Sequence, residues 1–121
     1  MKNKWITIGG IFGFLGVALG AFGAHYLKSF LISESVDIYK TGVLYQMLHS
    51  LVILGIGFYD RKQYFPAAWF FSAGIILFSF SLYIYSISHI MAFAIVTPFG
   101  GVSFLIGWLL LVIASLRKPK E

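Results

Sequence analysis

Four long apolar stretches, separated by short polar connections, constrain this chain more than any other feature. They cover residues 5–24, 42–59, 65–85 and 90–116. Each holds about 18 residues or more, which is the length an α-helix needs to cross hydrocarbon. Lipid offers no partners to backbone N–H and C=O groups, so a spanning segment satisfies them internally as a helix. The pattern predicts an all-α polytopic membrane protein, a single four-helix transmembrane bundle over residues 1–121, with helices at about residues 5–25, 41–59, 65–86 and 97–116.

The composition agrees with this prediction and excludes several kinds of chemistry. Of the 121 residues, 60% are hydrophobic and 11% are charged, too few charges to cover a water-soluble domain. The net charge is +5, but the basic residues lie at the ends of apolar stretches and do not form one face. Membrane lipids, and not nucleic acid, are therefore the expected partners. The absence of cysteine excludes disulfides, thiolate nucleophiles and cysteine-ligated metals.

The positions of the basic residues predict the orientation. The first connection carries Lys28 and Lys40, offset by Glu34 and Asp37, and the third connection carries no lysine or arginine. The other seven basic residues would share the opposite side; they are Lys2, Lys4, Arg61, Lys62, Arg117, Lys118 and Lys120. Cytoplasmic flanks of transmembrane helices are enriched in lysine and arginine. We therefore predict a multi-pass plasma-membrane protein with both termini in the cytoplasm.

Two of the connections allow more than one interpretation. Residues 26–41 form the longest connection, and their amphipathic pattern predicts a short helix or turn along the outer interface. Thr97 and Pro98 are typical of a helix start, with threonine as the cap and proline in the first turn. This favours a loop at residues 86–96 before the fourth helix. The alternative is one long fourth helix that is kinked at Pro98.

Glycines recur at helical spacing along the first stretch and again in the fourth. Small residues let helix backbones approach closely in lipid, where no hydrophobic effect drives association. The pattern predicts packing within the bundle, with self-association into a homo-oligomer as the alternative. The predicted packing positions are Gly9, Gly13, Gly16, Gly20, Gly23 and Gly107.

The polar side chains of the apolar stretches gather toward the predicted outer half of the bundle. A transporter monomer needs polar groups along its whole path or a site near the midplane, and here the polarity stops about halfway. The distribution favours an outward-facing polar pocket for a lipid or a membrane-protein partner. Its candidate residues are His25, Tyr45, Gln46, His49, Ser79, Ser81, Tyr83, Thr97, Gly100 and Gly101.

His49 is the most informative of these residues because ionisable groups inside a membrane are often functional. The simpler interpretation is a neutral imidazole that is hydrogen-bonded within the bundle. His25 and His49 together could ligate a metal or a haem, but such sites need more ligands, and all four acids lie outside the apolar stretches. We therefore predict no catalytic residues, no metal and no cofactor.

Several segments of the chain resemble those of a known family. Residues 20–25 (GAFGAH), the YQ-x-x-H pattern at 45–49, residues 97–101 (TPFGG) and the GW pair at 107–108 are similar to segments of the YwdK/YgdD-like family of uncharacterised small membrane proteins. Residues 78–83 match its FSGSLY segment except that Phe80 replaces the glycine. The resemblance covers nearly the whole chain and implies a four-helix bacterial plasma-membrane protein. It implies no activity, and Phe80 would make any pocket beside the third helix smaller.

These observations favour a non-enzymatic integral membrane protein with an outward-facing pocket for a lipid or a partner protein. The alternative is a small transporter or permeability factor that acts as an oligomer. A third hypothesis is a membrane enzyme that acts on a lipid or a quinone through His25 and His49.

Overall fold

Four long helices make up almost all of the computed structural model, which describes residues 3–118. The helices are α1 (Lys4–Leu27), α2 (Ser33–Tyr59), α3 (Lys62–Ser88) and α4 (Met91–Ser115). Each is long and apolar enough to cross a membrane, and residues 3–118 contain no strand. The all-α fold with four membrane-spanning helices is therefore confirmed. Lys2 and Lys120, which contribute to the predicted orientation, lie outside the described residues.

Hydrogen bonds between helix ends show how the chain runs through the bundle. Asn3 accepts a hydrogen bond from the Trp5 N–H, which caps α1, and its amide nitrogen donates to the Gly57 carbonyl at 2.8 Å. The Gln63 amide donates to the Ala114 carbonyl at 2.7 Å. The start of α1 therefore lies beside the end of α2, and the start of α3 beside the end of α4. The helices alternate in direction, and both ends of the described chain lie at the same end of the bundle.

The first connection is much shorter than the sequence predicts. Helix α2 begins at Ser33, so only residues 28–32 join it to α1, and the predicted interfacial connection over residues 26–41 is wrong. Val36 and Tyr39 are buried and lie three residues apart on one helical face. The amphipathic pattern thus belongs to the first two turns of a long α2. Glu34, in the first turn, also interacts favourably with the helix dipole.

The fourth helix also begins earlier than the favoured prediction. It starts at Met91 and contains Pro98, so residues 91–96 are helical and the predicted loop at 86–96 is wrong. The alternative of one long helix describes this segment correctly. The Thr97 hydroxyl does not cap a helix start; it donates back to the Phe93 carbonyl at 3.1 Å. Proline removes one backbone donor, and a transmembrane helix tolerates this loss when neighbouring groups compensate.

Two helices contain a wider, π-helical turn that the sequence pattern did not predict. One lies in α1 at Leu19–Gly23 and the other in α3 at Ile75–Ser79. Such turns interrupt the regular pattern of backbone hydrogen bonds and rotate the residues that follow about the helix axis. Here the Leu19 carbonyl accepts a hydrogen bond from the Tyr39 hydroxyl at 2.8 Å.

Helices α2 and α3 lie in the middle of the packing, and α1 lies at its edge. α1 packs mainly on α2, α3 packs on both α2 and α4, and α4 packs mainly on α3. The apolar core lies between the four helices and contains Trp5, Phe12, Ile53, Ile56, Ala67, Ala68, Phe71, Ile75 and Phe104. Large α1 side chains such as Phe14 and Phe22 are each 75% exposed, so lipid covers most of this helix.

Glycines bring α1 and α2 into close contact at four points. A Cβ at Gly9 would meet Leu54, and the same is true of Gly20 with Val43. Gly16 faces Met47 and Gly23 faces Tyr39 in the same way. Gly107 of α4 packs against the Phe71 ring of α3. Gly13 departs from the predicted set, because no atom lies within 4 Å of where its Cβ would be.

Candidate functional site

Gln46 joins three helices at the centre of the polar residues. Its side chain is completely buried on α2. The amide nitrogen donates to the Phe12 carbonyl of α1 at 2.8 Å, and the amide oxygen accepts from the Tyr83 hydroxyl of α3 at 2.6 Å. A carboxamide has both donors and an acceptor, so one side chain serves both neighbours. Gln46 and Tyr83 therefore fix the positions of α1 and α3 against α2.

A second set of contacts connects α2 and α3 beside Gln46. The Ser79 hydroxyl donates to the Gly42 carbonyl at 2.7 Å. A Cβ at Gly42 would come within 2.7 Å of the Tyr83 ring, so only glycine allows this approach. Tyr39 packs its ring against Tyr83 with centroids 4.9 Å apart. Ser79 thus has a hydrogen-bond partner inside the protein, and the two tyrosine rings pack on each other.

His49 lies between α2 and α4 with both ring nitrogens in use. The Trp108 indole N–H donates to Nε2 at 3.1 Å, so Nε2 carries a lone pair and the proton is on Nδ1. The Nδ1–H in turn donates to the Tyr45 carbonyl at 2.7 Å. The imidazole also stacks on the Phe104 ring, with centroids 3.7 Å apart. His49 is thus a neutral structural histidine in this arrangement, and Trp108 is a partner that the sequence pattern did not reveal.

His25 does not join His49. It is exposed near the end of α1, whereas His49 is buried between α2 and α4. A shared metal or haem would need both imidazoles in one place. Among residues 3–118, no group of three or more histidines and acids could hold a metal ion.

The remaining candidates lie where α3 meets α4. The Ser81 and Thr97 hydroxyls are 2.6 Å apart. Gly100 touches the α3 backbone, since a Cβ there would lie 2.7 Å from the Leu77 carbonyl carbon and closer still to the Phe78 nitrogen. Gly101 is open, with Phe78 no nearer than 3.9 Å. Thr97 and Gly100 therefore bring two helices together.

Most of the predicted pocket residues therefore contact protein groups of a neighbouring helix. Apart from His25 and Gly101, the candidates are in helix-to-helix contacts. Tyr45 packs its ring on Phe78 of α3, with centroids 4.8 Å apart. Three surface cavities lie on the α1 and α2 side of the bundle, and none of the ten candidates lines these three. The open pocket stays a prediction. Buried polar groups in lipid tend to pair with each other, and periodicity alone does not separate that outcome from an open site.

The three cavities lie in sequence along the junction of α1 and α2. The first, of about 220 Å³, is lined by Lys28, Leu31, Ser33, Val36, Asp37 and Lys40. The second, of about 320 Å³, is lined by Gly20, Lys40, Val43, Leu44 and Met47. The third, of about 470 Å³, is lined by Gly10, Gly13, Phe14, Val17, Ala18, Phe22, Met47 and Leu54. Lys40 lines the first two and Met47 the last two, so the three cavities are neighbours along α2. We name the row of cavities the α1/α2 groove.

The α1/α2 groove changes in chemistry from one end to the other. Lys28, Asp37 and Lys40 line the end near the first connection, whereas the rest is almost entirely apolar. From Lys40 to Leu54 the α2 axis advances by roughly 21 Å, since a helix rises about 1.5 Å per residue. Half of the hydrocarbon core is about 15 Å thick. The groove is therefore long enough to pass from the interface through one leaflet.

The groove explains the positions of glycines that do not pack within the bundle. Nothing lies within 4 Å of the Cβ positions of Gly10 and Gly13, and both line its apolar end. The sequence shows small residues at these positions, but their spacing equally predicts contacts between packed helices. Their true surroundings depend on how α1 is rotated against α2, which the spacing alone does not fix.

The four apolar helices define the chain as a multi-pass integral membrane protein. A family model described as a protein of unknown function (DUF423) matches residues 19–101. The chain belongs to this family, as its YwdK/YgdD-like segments predicted, and the resemblance is confirmed.

Named relatives agree over nearly the whole length. The chain is 40% identical to the UPF0382 inner membrane protein YgdD of Escherichia coli (strain K12), over 100% of this chain and 96% of that protein. It is 39% identical to the UPF0382 membrane protein YwdK of Bacillus subtilis (strain 168), over 93% of this chain and 96% of the relative. No solved structure gives a significant match.

Proposed function

We propose that this chain is a non-enzymatic protein of the bacterial plasma membrane that binds a phospholipid in the α1/α2 groove. The observation that carries the proposal is the order of the three neighbouring cavities, which places a charged end next to a long apolar one. A phospholipid has the same division between a charged headgroup and an acyl chain. A partner protein would need a broader surface than a groove that is bounded by two helices.

The proposed orientation places both termini in the cytoplasm and the charged end of the groove at the outer interface. Arg61 and Lys62 lie at the end of the bundle that holds both ends of the described chain, together with Lys4 and Arg117. Lys28 and Lys40 lie at the opposite end, beside Glu34 and Asp37. The positive-inside rule then supports this orientation, and the bound lipid would belong to the outer leaflet.

The non-enzymatic part of the proposal is supported by the surroundings of His49. Both of its ring nitrogens already hold protein partners, so it has no free position from which to move a proton. Ser79 likewise donates its hydroxyl proton to a carbonyl and has no base beside it in the described residues. These groups stabilise the bundle, and lipid binding takes place on its side.

Filling the apolar end of the groove should displace the lipid without unfolding the protein. Gly13→Leu adds a side chain whose Cβ would have no protein atom of a neighbouring element within 4 Å, so the backbone contact between α1 and α2 is left in place. We expect the variant to retain lipid at least fivefold less well than the wild type during purification in mild detergent. The measurement is native mass spectrometry of the protein with its bound lipid.

Gly55→Leu is the matched control for this test. Gly55 lies on α2, is also free of neighbours within 4 Å, and does not line the groove. The control should retain lipid as the wild type does. Equal retention by all three proteins, or equal loss in both variants, would contradict a lipid in the α1/α2 groove.

A further inference from the structure

The charged end of the α1/α2 groove contains groups of both signs. Lys28 and Lys40 line it together with Asp37. None of the three has an ion-pair partner among residues 3–118. Two separate ammonium groups and one carboxylate therefore face the same cavity with their charges available to a ligand.

From this arrangement we propose that the headgroup bound there carries both a phosphate and a primary ammonium, as phosphatidylethanolamine does. The inference rests on the proposed function, because it names the lipid class for the same groove. The two lysines bind the phosphate, and Asp37 accepts hydrogen bonds from the headgroup ammonium.

The lysines provide the phosphate-binding half of this site. Ammonium groups form charge-assisted hydrogen bonds to phosphate oxygens, which are shorter and stronger than neutral ones. The cavity lies at the end of the bundle near the membrane interface, where the effective dielectric is lower than in bulk water and the attraction is correspondingly stronger. This half of the site does not distinguish between phospholipids, since all of them carry the phosphate.

Asp37 provides the selectivity. A headgroup without a cation, such as phosphatidylglycerol, brings a negative phosphate toward a carboxylate that then has no partner. A choline headgroup is positive but has no N–H to donate, so it attracts Asp37 without a hydrogen bond. Only a primary ammonium supplies both the opposite charge and the donors. The helix dipole favours an acidic residue in the first turn of a helix. Asp37 lies beyond the first turn of α2, so the dipole alone does not explain its position.

The test compares three lipids that share palmitoyl and oleoyl chains and differ only in the headgroup. The full-length protein in mild detergent is mixed with phosphatidylethanolamine, phosphatidylglycerol or phosphatidylcholine, and native mass spectrometry measures the bound fraction. We expect the wild type to bind the ethanolamine lipid about tenfold better than the other two, the ratio that roughly one charge-assisted hydrogen bond supplies. Asp37→Asn should reduce that preference below about twofold while the phosphate still binds.

Variants of the lysines and of a distant lysine complete the test. Lys28→Gln combined with Lys40→Gln should weaken binding of all three lipids by about tenfold. Lys62→Gln, at the opposite end of the bundle, should leave binding unchanged.

The outcomes separate this inference from the proposed function. If Gly13→Leu reduces binding but the wild type shows no preference for ethanolamine, the headgroup inference is wrong and the groove still binds lipid. A preference that survives in Asp37→Asn also overturns the inference. If no lipid binds better to the wild type than to Gly13→Leu, the proposed function is wrong as well.

Discussion

Gly100→Ala is expected to lower the free energy of unfolding by about 3 kcal/mol, while Gly101→Ala changes it by less than about 0.5 kcal/mol. At Gly100 a Cβ would lie 2.7 Å from the Leu77 carbonyl carbon and closer still to the Phe78 nitrogen. These are backbone atoms, so they cannot move aside as the end of a flexible side chain would. Helices α3 and α4 would have to separate along their contact.

The neighbouring glycine is the matched control because it shares helix, depth and chemistry. The nearest atom to a Cβ at Gly101 is in the Phe78 ring at 3.9 Å, an ordinary contact distance. Reversible unfolding of the purified protein in mixed detergent micelles gives both free energies. Equal destabilisation by the two alanines would show that α3 and α4 do not meet at Gly100.

Gln46→Leu should destabilise the bundle by about 2 kcal/mol, since it leaves a buried hydroxyl without its acceptor. The Tyr83 hydroxyl donates to the Gln46 amide oxygen at 2.6 Å, and the Gln46 amide also holds the Phe12 carbonyl of α1. Tyr83→Phe removes only the first of these bonds and should cost about 1 kcal/mol. The double variant should then cost less than the sum of the two, because both changes remove the same hydrogen bond.

Tyr85→Phe is the control for the tyrosine change. Tyr85 lies on the same helix, and no hydrogen bond is found for its hydroxyl in the described residues. The change in the free energy of unfolding that Tyr85→Phe causes should be the same whether residue 46 is glutamine or leucine. Additive effects of Gln46→Leu and Tyr83→Phe in the same unfolding assay would mean that these side chains do not interact.

The sequence was sufficient to predict the class of fold because hydropathy acts over whole segments. Four apolar stretches of sufficient length leave few alternatives in lipid. The helix ends were harder, since they depend on contacts with neighbours. Val36 and Tyr39 have an amphipathic pattern that fits an interfacial segment equally well, and burial against the bundle decides for α2. Pro98 likewise carries a helix-start signal that the Thr97 contacts with Phe93 and Ser81 override.

The candidate site was predicted less well, because the sequence locates polar residues but not their partners. Gln46, His49 and Tyr83 were correctly singled out as unusual inside a membrane, and depth placed them near one another. Whether they surround a space or bond to each other depends on helix rotations of a few tens of degrees. The two π-helical turns shift such rotations in α1 and α3 without a clear sequence signal.

The same reasoning applies to the α1 glycines. At about 100° per residue, Gly9, Gly16, Gly20 and Gly23 lie in one arc, and Gly13 lies at its edge on the side of Gly10. The other four glycines of the arc touch α2, whereas Gly13 turns toward the groove. The spacing that predicted packing therefore contained the groove as well, but only the docked α2 helix separates the two roles.

A high-resolution structure of the protein in nanodiscs that contain phosphatidylethanolamine tests the central claim most directly. The account predicts a continuous elongated density that begins beside Lys28 and Lys40, passes Met47 and ends near Gly13. The contradicting result is a groove that is closed or holds no ordered density, with lipid density instead among His49, Ser81 and Thr97.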